Sequence, residues 1–201
     1  MNRAVVITLV VLGGLVLFAL SIVGWGISVH NKIVTNEEAV KAGWAQVQNQ
    51  YQRRFDLIPN LIETVKGFAK QEMQVLTEVT EARASVGKMT VTPEVLNDPQ
   101  AFAKFRQAQD GLSSALSRLL VVTENYPTLK SDVNFLTLQK ELEGTENRIA
   151  VERRRFNEAV REYNTMIRKF PASFIASFSG FKEKAYFDSI EGAEKPPQVK
   201  F

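Results

Sequence analysis

The chain has 201 residues and a formal net charge of +3, with acidic and basic residues interleaved along its length. This near balance lacks the basic stripe of a nucleic-acid-binding protein and therefore argues against such a partner. With no cysteine, the chain has no disulfide, thiolate nucleophile or thiolate metal site.

The first element is an uncharged apolar run from Ala4 to Val29. As a helix it would be about 39 Å long, against about 30 Å for the hydrocarbon core of a bilayer. It predicts a transmembrane anchor over residues 1–30, with Trp25 at the interface. The alternative is a signal peptide with Arg3 as its positive region and cleavage after Ser21, but the run is longer than the usual apolar core of about 7 to 15 residues.

The charges beside the anchor set its orientation only weakly. Arg3 flanks one side and Lys32 and Lys41 flank the other, while His30 is mostly neutral. A three-residue N-terminal tail is easily translocated, which favours a soluble domain on the cytoplasmic side.

The soluble part is predicted to begin at Thr35, which has capping-box spacing to Glu38. A period of about 3.6 residues then predicts one long helix to about Val86, ended by Gly87. The residues of its inward stripe are Val40, Trp44, Val47, Tyr51, Phe55, Ile58, Ile62, Val65, Ala69, Met73 and Leu76.

The middle of this helix contains residues that are unusual in a helix that packs into a core. They are the pair Arg53 and Arg54, Asp56, which the pattern places on the inward face, and Pro59. Proline removes the hydrogen bond to the carbonyl of Phe55, at a cost of about 3 kcal/mol in an ordinary helix interior. The freed carbonyl needs another donor, such as a water or a guanidinium from a neighbouring helix.

A linker from Met89 to Pro99 precedes the second helix and contains two helix-start signals, Thr92-Pro93 and Asp98-Pro99. The second signal opens an amphipathic helix of about 28 residues that ends at Tyr126-Pro127 and can return antiparallel along the first. The stripe of this helix consists of Phe102, Phe105, Ala108, Leu112, Leu116, Leu119, Thr123 and Tyr126.

Ser131 is predicted to cap a third helix that ends at Phe170-Pro171. Its apolar period of about 3.5 residues favours coiled-coil-like packing, and a charged turn around Arg153 interrupts the stripe. The charges of this helix either pair on its surface or meet the first helix as an interhelical polar layer, which would set register or serve as a partner interface. The candidate residues are Arg53, Arg54, Asp56 and Pro59 on the first helix and Glu143, Glu146, Asn147 and Arg153 on the third.

An aromatic segment follows the third helix and includes a short fourth helix over Phe174 to Phe178. Aromatic residues beyond what the end of a bundle can bury indicate a partner or membrane surface. The candidate docking residues are Phe174, Phe178, Phe181 and Phe187. We therefore expect an all-α protein with an anchor, an antiparallel bundle of three long helices over residues 31–191 and a flexible tail over 192–201.

The sequence offers few residues for catalysis or for metal and cofactor binding. His30 is the one histidine, so no catalytic triad, paired-histidine or Glu-x-x-His motif is present, and the glycines form no phosphate-binding loop. We therefore predict no enzymatic activity, no cofactor and no metal site. A carboxylate-based hydrolase using Glu143 and Glu146 is the least favoured alternative.

The chain resembles the LemA family of membrane-anchored bacterial proteins. The resemblance lies in Gln52–Leu61, Glu63–Ala69, Glu124–Pro127 with Leu129-Lys130, Asn134–Leu136, Glu141–Ala150, Arg153–Asn157, Tyr163-Asn164, Phe170-Pro171 and Tyr186-Phe187. It implies a single N-terminal span in the inner membrane, a long-helix bundle and an accessory role, in some bacteria beside a membrane protease of the HtpX type. Gln71 departs from the family pattern, which often has histidine there, and this departure weakens any family-wide metal or proton role for that position.

These observations favour a non-enzymatic scaffold or adaptor that binds a membrane protein partner, itself, or both. An HtpX-type protease is the candidate partner that the resemblance suggests. The alternative is a self-assembling homo-oligomer that organises the membrane without a dedicated partner.

Overall fold

In a computed structural model, the described residues are 3–69, 71–89 and 92–187, and within these ranges the secondary structure is helical and contains no strand. The all-α prediction is therefore confirmed. The predicted tail, 192–201, lies outside the described residues. The helices are α1 (Arg3–Phe68), α2 (Met73–Gly87), a short 3-10 helix (Pro93–Asn97), α3 (Pro99–Thr123), α4 (Pro127–Lys130), α5 (Val133–Arg168) and α6 (Ala172–Phe178).

An antiparallel bundle is built from the C-terminal part of α1 together with α2, α3 and α5. Helices α1 and α5 run in opposite directions along each other, as do α2 and α3. Helix α3 runs in the same direction as α1, since Trp44, Tyr51 and Arg54 contact Phe102, Phe105 and Gln109 in that order, so its predicted antiparallel return along the first helix is wrong. The side-chain pairs that fix these directions are Asn36–Met166 and Arg54–Glu146 for α1 with α5, and Glu78–Arg118 and Glu72–Tyr126 for α2 with α3.

The prediction of a single helix to about Val86 is wrong, because its stripe is divided between two helices, α1 and α2. The chain turns after Phe68 and α2 begins at Met73, antiparallel to α1. A straight helix would carry Leu76 and Val79 away from the bundle, whereas the turn buries both against α3. Since the 3.6-residue period continues across the turn, periodicity alone does not reveal it.

Helix α1 does not begin at Thr35, so that predicted start is also wrong. The helix runs without a break from Arg3, and the Thr35 hydroxyl donates to the carbonyl of Asn31 at 3.0 Å, as a residue within a helix does. Ile33 is buried in the core of the bundle, so the apolar segment continues directly into the folded domain.

Side-chain caps define the starts of α3 and α5. Asp98 accepts hydrogen bonds from the backbone N–H groups of Gln100 and Ala101, as its sequence predicts. The cap of α5 is Asp132, which accepts from the N–H of Phe135 at 2.9 Å, and not the predicted Ser131. Asp and Ser are both favourable caps, so sequence preference alone does not separate neighbouring candidates. The earlier start signal at Thr92 opens only the 3-10 helix.

The core consists of two hydrophobic clusters along α1. The first lies near the apolar segment and surrounds Trp44, whose ring contacts Phe102, Phe105 and Phe156. The second lies towards the far end of the bundle and is centred on aliphatic residues such as Ile58 of α1. On α1 the clusters end at Tyr51 and resume at Ile58, and the polar site occupies the level between them.

The N-terminal part of α1 is long and apolar enough to cross a membrane, judged by length and composition. Residues 9–25 are all exposed, in contrast to Val29 and Ile33, which pack into the first cluster. The helix therefore has an unpartnered apolar half and a packed half.

Candidate functional site

Arg54 is the centre of the polar level and is 1 % exposed. One of its terminal nitrogens donates to Ser113 Oγ at 2.6 Å and to Glu146 Oε1 at 2.8 Å. The other donates to the Gln109 backbone carbonyl at 3.3 Å and to the side-chain oxygen of the same residue. One guanidinium thus connects α1 with α3 and α5.

The surroundings of Arg54 favour a guanidinium over any other cation. Removing a charged group from water costs several kcal/mol, so it needs charge-assisted hydrogen bonds that compensate. The planar fork of arginine supplies several donors in fixed directions, which an ammonium group does not. The Tyr51 ring adds a cation–π contact, with its centroid 5.1 Å from Arg54 Cζ. Among the described residues, Arg54 Nε is buried without a hydrogen-bond partner.

Arg153 forms a second connection one layer nearer the first hydrophobic cluster. Its Nε donates to the Tyr51 hydroxyl at 2.6 Å, and a terminal nitrogen donates to Asp110 Oδ1 at 3.1 Å. Burial raises the pKa of Tyr51, an effect that Arg153 only partly offsets. Burial opposes the charge on Arg153, but its interactions with Tyr51 and Asp110 outweigh this and hold its pKa above the usual value. The guanidinium charge therefore persists at every physiological pH.

Four residues of the predicted polar layer are exposed and do not join it, namely Arg53, Asp56, Glu143 and Asn147. Asp56 accepts a hydrogen bond from Gln52 on its own helix at 2.8 Å. Successive residues of an α-helix are about 100° apart, so Asp56 points about 200° away from Arg54 and cannot share its face. Of the charged candidates, the structure brings together Arg54, Glu146 and Arg153.

Sequence reasoning missed the contribution of α3 to this site. Gln109 and Ser113 hold Arg54, and Asp110 holds Arg153. A signal was present, because Gln109 stands four residues after Phe105 and three before Leu112 in an otherwise apolar stripe. A buried amide at such a position needs a polar partner.

Pro59 lies within α1, and the carbonyl that it frees has found a donor on another helix. Arg83 Nε of α2 donates to the Phe55 carbonyl at 3.2 Å. The same guanidinium lies 3.8 Å from the centroid of the Phe55 ring. Of the two donors expected for this carbonyl, a water or a guanidinium from a neighbouring helix, the structure shows the guanidinium, and this contact joins α2 to α1.

Arg54, Arg153 and their hydrogen-bond partners form the polar level of the bundle, the arginine layer. An open groove of about 1140 Å³ lies beside this layer, between α3 and α5. Glu146 and Arg153 form part of its lining, so the buried network is its floor. Arg154 and Arg161 are exposed at its α5 side. The charged residues that line the groove are Arg106, Arg153, Arg154, Arg161, Asp110, Glu146 and Glu158.

The predicted aromatic docking surface is divided, and its assignment as one surface is wrong. Phe187 is 4 % exposed and its ring contacts Trp44, Phe102 and Phe156 in the first cluster. Phe181 is half-buried. Two of the predicted surface residues, Phe174 and Phe178, are exposed.

The segment from Phe181 to Phe187 is held across the bundle by paired hydrogen bonds. Asn164 exchanges two bonds of 2.9 Å with the backbone of Lys184, and Asn157 bonds the backbone of Phe187 in the same way. Lys184 Nζ also donates to Glu37 Oε1 at 2.7 Å. These amide pairs explain why an extended segment is ordered without secondary structure.

In the described ranges, no group of three or more His, Asp or Glu side chains is arranged to hold a metal ion. Glu146 is the counterion of Arg54, and Glu143 is exposed one helical turn away.

Comparison with known proteins places these residues in a family context. The sequence profile of the LemA family matches residues 43–201, which include the whole arginine layer. The chain is 28 % identical over 189 residues to magnetosome protein MamQ of Magnetospirillum gryphiswaldense, covering 85 % of this chain and 70 % of that protein. It is 27 % identical over 183 residues to magnetosome proteins MamQ 1 and MamQ 2 of Paramagnetospirillum magneticum, covering 83 % of this chain and 67 % of each relative.

Proposed function

The chain belongs to the LemA family, and from this membership and the geometry of the groove we propose that it is a membrane-anchored, non-enzymatic adaptor. In this proposal the apolar half of α1 crosses the bacterial inner membrane once, with the bundle on the cytoplasmic side. The groove between α3 and α5 binds a membrane protein partner. The names of the MamQ relatives state a magnetosome location and no reaction, which is in keeping with a role of this kind.

The observation that carries the proposal is the unbroken helix from the apolar segment to the arginine layer. At 1.5 Å per residue, the path from Val29 to Arg54 measures about 38 Å along α1. A helix without a linker fixes the distance between groove and bilayer, as a flexible tether would not. The groove therefore faces the soluble parts of neighbouring membrane proteins.

The charges of the groove indicate what kind of segment it binds. Glu146 and Asp110 are already engaged by Arg54 and Arg153, while Arg154 and Arg161 are exposed together with one carboxylate, Glu158, so the exposed charge is positive on balance. Guanidinium groups bind carboxylates with two parallel hydrogen bonds. We therefore assign the groove to an acidic segment of the partner, with an HtpX-type membrane protease as the first candidate.

The adaptor role is tested by extracting the full-length chain from its native membrane in mild detergent and identifying the proteins that co-elute. The test variant is Arg154→Glu with Arg161→Glu. The matched control is Lys104→Glu with Lys140→Glu, since these lysines are exposed on the same two helices outside the groove. A stoichiometric partner that is lost with the first variant and kept with the control supports the assignment. Equal retention by both variants excludes the groove as the interface.

Self-association is a second candidate because the groove contains both signs of charge. A two-fold interface brings the same surface against itself, so it needs complementary charges within one patch. The particle mass in detergent separates the two functions. A large particle that contains only this chain favours the homo-oligomer, whereas a heteromeric particle favours the adaptor.

The hydrolase alternative finds no support in the geometry of its two carboxylates. Glu146 is bound to Arg54, and Glu143 lies on the exposed side of α5, where it accepts a hydrogen bond from Gln139 at 2.9 Å. A catalytic pair would need both groups to face one substrate position.

The proposed topology has a direct test because the chain contains no cysteine. Ser131 is exposed at the end of the bundle that is far from the apolar segment. A Ser131→Cys variant should resist a membrane-impermeant maleimide in intact cells and react after lysis. Labelling of intact cells places the bundle outside the cytoplasm.

A further inference from the structure

An unpartnered aromatic face lies at the anchor end of the bundle. Phe170 precedes α6 and is 80 % exposed, and Phe174 and Phe178 on α6 are 69 % and 96 % exposed. The rings of Phe170 and Phe174 are in edge contact, with centroids 5.8 Å apart. Phe174 and Phe178 are four residues apart and so lie on one side of the helix, whereas Ala176 is buried against the bundle.

This aromatic face lies beside the last turns of the apolar segment. A Cβ at Gly26 would be 3.7 Å from Ile175 Cδ1, so α6 packs closely on α1 there. One turn further along, His30 Nδ1 lies 3.2 Å from the Ser179 hydroxyl. Helix α6 is therefore held against α1 between Gly26 and His30.

The length of the apolar run determines where this contact lies relative to a bilayer. Counted from the start of the apolar run, a hydrocarbon core of about 30 Å is crossed by about 20 helical residues, Ala4 to Val23. The headgroup region adds about 5 to 8 Å on each side of the core, and the next six residues, about 9 Å long, cross it. Gly26 then lies about 5 Å beyond the core boundary, within the headgroup region, and His30 lies about 10 Å beyond it, at the outer edge.

We propose that α6 is an interfacial membrane contact, in which Phe170, Phe174 and Phe178 insert into the bilayer that α1 spans. This inference rests on the membrane anchoring proposed above. Its occupant is lipid, because the aromatic face lies at the depth of the lipid headgroups and adjoins the spanning segment. Exposed aromatic side chains on a short amphipathic helix enter the boundary between headgroups and acyl chains.

Charged residues on either side of the aromatic face fit the same assignment. Lys169 directly precedes Phe170, Lys182 directly follows Phe181, and both lysines are exposed. Lysines at such positions extend their ammonium groups towards lipid phosphates while their apolar stems stay at the interface. The contact gives the bundle a second attachment, so that it cannot rotate freely about the axis of α1.

Spin labels on single cysteines in the full-length chain test the contact directly. Phe178→Cys reports on α6, Leu15→Cys on the anchor, and Ser131→Cys on the water-exposed far end of the bundle. Each labelled protein is reconstituted into vesicles of phosphatidylcholine with a minority of phosphatidylglycerol. Accessibility is then measured to oxygen, which concentrates in the bilayer, and to a water-soluble nickel complex.

We expect the oxygen-to-nickel accessibility ratio at position 178 to be severalfold above that at position 131 and below that at position 15, as for a site at the acyl boundary. A water-like ratio at 178 with a lipid-like ratio at 15 overturns the contact and leaves the anchor in place. Water-like ratios at both positions overturn the anchor as well. A position 178 shielded from both reagents means that a second copy covers the face, which also overturns the lipid assignment.

Because Phe178 is 96 % exposed, its replacement should not disturb folding. The labelled protein must show the thermal transition of the unlabelled chain. A label at Phe174→Cys provides a second position, and the same ratio is expected there.

Discussion

Arg54 and its neighbour Arg53 show how one step along a helix separates a buried charge from a solvated one. Arg54 lies three residues after Tyr51 and four before Ile58, which places it within the inward stripe. Arg53 is exposed. The apolar pattern predicts Phe55, and not Arg54, as the inward residue between Tyr51 and Ile58, because an aromatic side chain continues an apolar stripe and a charged one does not. Only contact with Gln109 and Glu146 makes the charged residue the buried one.

The Arg54–Glu146 pair predicts a difference between two carboxylates that lie one turn apart on α5. Glu146→Ala removes a partner of a buried guanidinium and should lower the free energy of unfolding by about 1–3 kcal/mol. Glu143→Ala is the matched control, since Glu143 is exposed, and should change it by less than about 0.5 kcal/mol. Chemical unfolding of the full chain in mild detergent measures both, and equal effects would show that the buried pair adds nothing to stability.

Tyr163 predicts a loss of stability at high pH. Burial, with a smaller contribution from Glu37, raises its pKa from 10.0 to about 12. The unfolded chain therefore loses the phenol proton first, so this contribution to stability is complete below pH 10 and disappears as the pH rises to about 12. Tyr163→Phe should flatten the pH dependence of unfolding in that window, while Tyr186→Phe, at a half-exposed position, should not. An unchanged slope in Tyr163→Phe would assign the alkaline transition to other groups.

At the scale of the helices, periodicity predicts most inward-facing residues but not where the chain turns. The stripe that begins at Val40 is buried at Trp44, Ile58 and Val65, as expected. The change of direction between α1 and α2 is hidden in the pattern, because both helices bury most of the stripe in the same core; Met73, which is 55 % exposed, is the exception. A helix boundary between two such halves depends on tertiary packing, which a single sequence pattern does not contain.

Pro59 and Arg83 predict a coupling between α1 and α2. Arg83→Ala removes the donor to the Phe55 carbonyl and the contact with its ring, so it should lower the free energy of unfolding by about 1–2 kcal/mol. In a Pro59→Ala background the backbone N–H of residue 59 replaces that donor, so the same substitution should cost less. A double-mutant cycle measures the interaction. Additive effects would mean that Arg83 stabilises the bundle without serving the freed carbonyl.

At the scale of the whole molecule, the sequence predicts part of the arginine layer but not the open groove beside it. The charged turn around Arg153 stands out as a polar interruption of an apolar stripe, whereas Arg54 and Glu146 stand next to stripe residues, Phe55 and Thr145. The groove beside them depends on the separation of α3 and α5, which the bulk of the Trp44 cluster and the crossing segment before Phe187 determine. Such distances arise only when all helices are packed together.

Phe187 and Phe178, which the sequence groups on one surface, should differ in their effect on stability. Phe187→Ala removes a buried ring that contacts Trp44, so it should lower the free energy of unfolding by about 3 kcal/mol or more. Phe178→Ala changes an exposed ring and should leave unfolding within about 0.5 kcal/mol of the wild-type value. Unfolding in detergent checks both variants.

In vesicles the order of the two variants should reverse when the contact of α6 with the membrane is measured instead of unfolding. Phe178→Ala removes one of the three inserted rings and should weaken the contact of α6 with the bilayer, as read by a spin label at Phe174→Cys. Phe187→Ala should leave that contact unchanged in the protein that remains folded. Equal effects of the two substitutions in either assay would contradict the division of the aromatic residues into a core member and a membrane-facing member. The two variants therefore show whether the aromatic residues at the anchor end only pack into the core or also attach the bundle to the bilayer.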